Sequence, residues 1–209
     1  MPAVDRPDDP ARPEPMLRGR LVSLRPAERD DIPLFVRWFT DARTTQFLAF
    51  RSPMSRAQEE RWFEDLQQHH GKDRWHFVIC RLEDGRAVGT LGLEEIDQVN
   101  GSAGIGIAIG DPADTSQGYG SDALSALLDF GFGELRLVRM WLDVYDFNER
   151  ARHVYERLGF VHEATFRHGL FHGGRFVDVH RLGILREEWP LGAWRGEAAT
   201  GESTGGEPA

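Results

Sequence analysis

Apolar residues recur along the chain at two different periods, and the period switches from segment to segment. Leu21-Val22-Ser23-Leu24 alternates in the manner of a short strand. After Asp30-Asp31 and Pro33, the apolar residues Leu34, Phe35, Trp38 and Phe39 fall three and four apart. That spacing predicts an amphipathic helix, with acidic residues and a proline at its start. Ser55 followed by Gln58 matches a capping box and predicts a second helix through about residue 70. Trp75–Leu82 reads as a strand, Glu83-Asp84-Gly85-Arg86 as a hairpin turn, and Ala87–Leu93 as the returning strand. Ala103–Ile109 is a third strand of this central group. Asp122–Phe132 carries Ala123, Leu124, Leu127 and Leu128 on one helical side, and Val138–Val144 is again strand-like. Glu149–Leu158 is a helix closed by Gly159, and Phe160–Leu185 forms two strands around Gly173-Gly174. Helices and strands interleaved in this order predict a mixed α/β sheet in a single domain.

Two ends do not join this pattern. Residues 1–15 are rich in Pro, Asp and Arg, and residues 195–209 in Gly, Glu and Thr, so both are expected to be disordered tails around a domain at 16–194. The 209 residues include 34 acidic and 25 basic ones, a formal net charge of −9. That balance argues against binding nucleic acid through the overall field, which draws on dense Lys/Arg patches. Cys80 is the single cysteine, so neither an internal disulfide nor a Cys-x-x-Cys zinc site is expected. The proline-rich, acidic start is unlike a signal peptide, and no apolar run approaches the roughly 20 residues of a membrane span. A cytoplasmic location is the expectation, with no nucleic acid or membrane partner.

Candidate chemistry concentrates in two stretches. Gly104-Ile-Gly-Ile-Ala-Ile-Gly-Asp-Pro leads into Gln117-Gly-Tyr-Gly-Ser121 and an apolar helix. Glycines in such a turn let backbone amides approach a ligand, and a helix N-terminus favours phosphate. A Walker A loop is excluded because Lys72, the sole lysine, lies elsewhere. A dinucleotide fingerprint fits poorly, since Gly104 and Gly106 lie within the strand and Asp111-Pro112 separates Gly110 from the helix. A plain glycine turn remains the alternative. In the second stretch Asn148, Ala151 and Tyr155 share one side of a helix that ends at Gly159-Phe160. Taken alone, Asn148 reads equally well as an N-cap and Tyr155 as a core aromatic.

Together the two stretches resemble the GNAT acyltransferase superfamily. The opening Leu21-Val-Ser-Leu-Arg-Pro-Ala-Glu-Arg-Asp-Asp, the closing Gly173-Gly-Arg-Phe-Val-Asp-Val and Leu185-Arg-Glu-Glu-Trp189 resemble its ribosomal-protein N-acetyltransferase branch. The resemblance implies the GNAT fold and acetyl-CoA as co-substrate, with no metal. It implies that Ile107, Ala108 and Ile109 pair with the pantetheine arm through their main chain. Amides of Gln117, Gly118, Tyr119, Gly120 and Ser121 would cradle the pyrophosphate, with Asn148 on the pantetheine and Arg152 near the phosphates. Tyr155 would act as general acid towards the CoA thiolate.

Two positions depart from the family pattern. Thr115 stands where the loop usually carries Arg, Gln or Trp, which weakens one phosphate or adenine contact. Gly104 stands where many members carry a catalytic Glu, so Glu94 and Glu95, at the end of the neighbouring strand, become the candidate bases; alternation allows one of them to face the cleft. His162, His168, His172 and His180 cluster late without metal-site spacing. The branch resemblance favours a protein N-terminal amine as acceptor. A polyamine or aminoglycoside acetyltransferase, or an impaired acyl-CoA-binding module, are the alternatives, and a homodimer is left open.

Overall fold

The computed structural model describes residues 15–50 and 52–191. The chain runs through β1 (Leu17–Arg18), β2 (Val22–Pro26), α1 (Ile32–Thr40), α2 (Ala42–Thr45), α3 (Arg56–His69), β3 (Trp75–Arg81), β4 (Ala87–Asp97) and β5 (Ser102–Ile109). It continues through α4 (Tyr119–Gly133), β6 (Arg139–Tyr145), α5 (Glu149–Arg157), β7 (Val161–His172) and β8 (Arg175–Leu185). The strands form one eight-stranded mixed sheet in the order β1-β2-β3-β4-β5-β6-β8-β7, with helices on both faces. The expected tails fall largely outside the described residues.

Alternation along the strands sorts the core into two layers. Phe77 and Ile79 of β3 join Leu91, Leu93, Met140, Leu142, Leu182 and Ile184 beneath Leu124, Leu127 and Leu128 of α4. Val78 and Cys80, from the same strand, point the other way onto Phe35 and Trp38 of α1 and Leu66 of α3. Each fully buried Leu or Phe side chain contributes about 1.5–3 kcal/mol of transfer energy. The two layers therefore fix which face each helix covers.

Every neighbouring pair of strands is antiparallel except β5 and β6, which run parallel. That exception positions the site. Their register extends only from Ser102 opposite Arg139 to Gly104 opposite Trp141. Beyond it the two strands diverge and the sheet opens into a notch, while β4 stays paired with β5 as far as Ile109.

Several boundaries differ from the sequence expectation for local reasons. β1 and α2 span two and four residues, too short to register as a period. α4 starts three residues before Asp122, because Gly118 adopts φ +86 and turns the chain directly into the helix. Asp122 serves tertiary structure instead: its carboxylate accepts from the backbone N–H groups of Arg20, Leu21 and Val22 at 2.9, 2.8 and 3.0 Å. Gly19 makes room for it, since a Cβ there would lie 2.0 Å from Asp122 Oδ2. β4 continues past Leu93 to Asp97, and its register against β5 shifts between Glu94 and Asp97. Glu95 takes φ +49 there, which breaks the simple alternation expected for Glu94 and Glu95. No helix among the described residues is long and apolar enough to cross a membrane.

Candidate active site

The notch opens into a cavity of about 780 Å³. One wall is the free side of β5, from Ile105 to Ile109; the other is β6 from Leu142 to Tyr145. Along that stretch β5 has no strand neighbour on its β6 side among the described residues. Its peptide groups there are available to an extended ligand, as the edge of any sheet would be. Ile107, Ala108 and Ile109 all line this wall.

The floor is the start of α4. Gly118 is its N-cap and supplies no side-chain oxygen, so the first-turn amides lack the usual cap. Asp122, the acidic residue of that turn, is committed to the strand amides described above. Gly118, Tyr119, Gly120 and Ser121 line the cavity here, and Ser121 Oγ donates to the Gly118 carbonyl at 2.9 Å. A Cβ on Gly120 would sit 3.8 Å from the Ile107 and Ile109 side chains. The fold thus has room for a side chain there, in space open to a ligand. The helix N-terminus and its uncapped amides form an anion-binding end, with Arg150 and Arg157 of α5 on the same cavity. Gln117 is exposed and lies outside the lining. Ser116, at φ +63, lines the cavity in its place. Thr115 also lines it, with its hydroxyl donating to the Pro112 carbonyl at 2.7 Å.

Asn148 and Tyr155 both reach the cavity from α5. Asn148 is the N-cap, accepting from the Ala151 amide at 3.3 Å through Oδ1. Tyr155 packs against the main core, its ring 6.0 Å from that of Phe160. Burial pushes its hydroxyl up to about 12. The group is therefore a permanent hydrogen-bond donor at ordinary pH. Arg152 is turned away from the cavity, 3.7 Å from Glu156.

Glu94 and Glu95 are exposed and lie outside the cavity lining. At Gly104 the neighbouring strand explains the missing side chain: a Cβ would meet the Trp141 ring at 3.0 Å. The carboxylates that do line the cavity are Asp114 and Asp143. Asp114 is buried and gripped by the Arg86 guanidinium at 2.5 and 2.8 Å. Asp143 was not marked by the sequence, because nothing in strand periodicity marks a position that borders a break between strands. Phe47, which reads first as a core aromatic, lines the cavity with its neighbours Gln46, Leu48 and Ala49. Among the described residues, no group of three or more His, Cys, Asp or Glu is arranged to hold a metal ion.

Comparison with known proteins gives this arrangement a family. The description "Acetyltransferase (GNAT) domain" matches residues 21–161. The chain belongs to the GNAT acetyltransferase family. It is 30% identical over 168 residues to spermidine N(1)-acetyltransferase of Escherichia coli K12, covering 80% of this chain and 88% of that one. It is 35% identical over 108 residues to the putative ribosomal N-acetyltransferase YdaF of Bacillus subtilis, covering 52% of this chain and 58% of that one. Among solved GNAT structures, the spermidine N-acetyltransferase of Vibrio cholerae in complex with CoA and spermine superposes with a TM-score of 0.75 at 26% identity. That match covers 80% of this chain and 97% of the other. The GNAT fold and an N-acetyltransferase activity, expected from the motifs, both stand.

Proposed function

We propose that this protein transfers the acetyl group of acetyl-CoA to a primary amine of a small cationic molecule of the polyamine type. The observation that carries the reading is the notch: one cavity joins an uncapped helix N-terminus, an unpaired strand edge and a partly buried tyrosine. The three match in turn a pyrophosphate, an amide-bearing pantetheine arm and a thioester sulfur. The similarity to spermidine acetyltransferases extends over four fifths of the chain, whereas that to the ribosomal type extends over about half. That favours the small amine over the protein N-terminus.

In this reading the α4 amides of Gly118–Ser121 hold the diphosphate, with Arg150 and Arg157 neutralising it. The main chain of Ile107, Ala108 and Ile109 adds hydrogen bonds to the pantetheine arm, and Asn148 offers its side-chain amide. The neutral amine attacks the thioester carbon, a C–N bond forms, and the nitrogen gives its extra proton to solvent water in the open cavity. The C–S bond breaks and the thiolate leaves with the Tyr155 hydroxyl donating a hydrogen bond to it. Positioning and electrostatic stabilisation account for the acceleration, and no covalent enzyme intermediate is needed.

The test is acetyl-CoA-dependent release of free thiol with spermidine, with an aminoglycoside and with an Ala- or Ser-initiated peptide. Turnover with spermidine alone is the expected result. Turnover with the peptide alone would transfer the reading to N-terminal acetylation.

A further inference from the structure

The sheet separates the two ends of the cavity, and β6 presents a different set of side chains to each. Met140, Leu142 and Val144 face α4 and the main core. By alternation Trp141, Asp143 and Tyr145 face the opposite side, where α1 and α2 lie. On that side Asp143, Tyr145 and Phe47 line the cavity together. The Phe147 ring links the two aromatics, 5.7 Å from Tyr145 and 6.0 Å from Phe47.

Asp143 is held from the neighbouring strand. It sits opposite Arg181 in the β6–β8 register. Arg181 Nε and Nη2 donate to its two oxygens at 2.8 and 2.9 Å. The guanidinium itself lies 3.6 Å above the Trp141 ring. Trp141 in turn occupies the space beside Gly104. The pair is partly exposed, with the Asp143 side chain 36% accessible and Asp143 among the residues lining the cavity, and each carboxylate oxygen keeps a lone pair beyond the one Arg181 takes. The other lining carboxylate, Asp114, is paired in the same two-pronged way with Arg86, but its side chain is only 9% accessible, so it offers a ligand far less than Asp143 does. Arg43, the cation in the wall on this side, is tied to Asp41.

A carboxylate lining one cavity with two aromatic side chains, across the sheet from the helix N-terminus, suits a cation. Resting on the acetyltransferase reading above, we infer that Asp143, with Tyr145 and Phe47, holds the second ammonium of a di- or polyamine acceptor while its other, neutral amine attacks. Asp143 is then a specificity-determining residue. The Trp141–Arg181 stack is the support that aims it, and Gly104 is the space that support requires.

The experiment compares 1,4-diaminobutane with butylamine, which lacks only the second nitrogen, in wild type, Asp143→Asn and Asp143→Glu. Thiol release gives kcat and KM for each amine, and the KM for acetyl-CoA monitors the other end of the cavity. The expected result is that Asp143→Asn raises the diamine KM about tenfold or more. The butylamine KM moves far less, and Asp143→Glu recovers part of the loss. Equal losses with both amines, or no loss, overturn the inference while leaving the acetyltransferase reading intact. Failure of the wild type to acetylate either amine, or spermidine run beside them, overturns both.

Discussion

Replacing Tyr155 with Phe removes one oxygen and keeps the ring that packs on Phe160. The size of the effect follows from the position of the hydroxyl. Burial raises it to about 12, whereas a thiol resembling that of CoA titrates near about 8.5. Full proton transfer to the departing thiolate would therefore run uphill by roughly 3.5 pH units, or about 5 kcal/mol at about 1.36 kcal/mol per unit. Tyr155 then acts by donating a hydrogen bond to the developing thiolate and need not release its proton. A hydrogen bond to a charged group contributes about 1.5–3 kcal/mol. Tyr155→Phe should lower kcat about 10- to 150-fold, with acetyl-CoA affinity and melting temperature nearly unchanged. Because the hydroxyl does not ionise in the working range, the pH profiles of variant and wild type should run parallel from pH 6 to about 10. The assay is thiol release across that range, with CoA affinity measured on the same preparations. Unchanged turnover would refute the role. An alkaline limb near pH 10 that vanishes in the variant would refute the hydrogen-bond argument and restore full proton transfer.

Gly120→Val should abolish CoA binding without loss of fold, since its Cβ has ordinary contacts in the protein and space only on the ligand side. Retained affinity, measured by calorimetry, would sink the phosphate site; Gly118 is the poorer probe because its φ of +86 strains any other residue. Glu59, 2% exposed on α3, has its carboxyl raised to about 6 by burial. A raised acid stabilises the fold fully below its unfolded value of about 4.5, and that stability fades as pH rises through 6. Glu59→Gln should therefore gain up to about 2 kcal/mol at pH 8 and nothing at pH 4, and urea titrations at the two pH values decide it. Glu94→Gln and Glu95→Gln, outside the cavity, should each leave turnover and its pH profile essentially unchanged. Asp122→Ala, which strands three backbone donors, should cost about 2–3 kcal/mol of stability, readable as a lower melting temperature.

The longer elements were legible because each has a strong period or an explicit cap. The Ser55–Gln58 box opens α3 as expected, with Gln58 N–H to Ser55 Oγ at 3.3 Å and Ser55 N–H to Gln58 Oε1 at 2.9 Å. Gly159 at φ +97 follows α5 as its pattern demands. The notch was invisible to periodicity, since β5 and β6 look alike on both sides of the point where pairing stops. Motif resemblance singled out Gly118, Gly120, Asn148 and Tyr155, which all line the cavity, because the motif is written in residue type and in the absence of a side chain. The opposite wall is different. Asp143 and Phe47 meet there through strand order and helix placement, about a hundred residues apart in sequence, and no local signal joins them. Glu94 and Glu95 illustrate the same gap: alternation was the right rule for a regular strand, and the positive φ at Glu95 suspends it.

A sheet interrupted in its middle is an incomplete structure. From Ile105 to Ile109, β5 has a strand neighbour on its β4 side alone among the described residues, and a co-substrate laid along it would act as the missing strand. Whatever binds the native state alone stabilises it, by about 2.7 kcal/mol when present at about a hundred times its dissociation constant. A cell rich in acetyl-CoA would then hold more of this protein folded than a starved one. Its abundance would follow carbon supply with no dedicated regulator, the metabolite serving as reactant and as part of the scaffold.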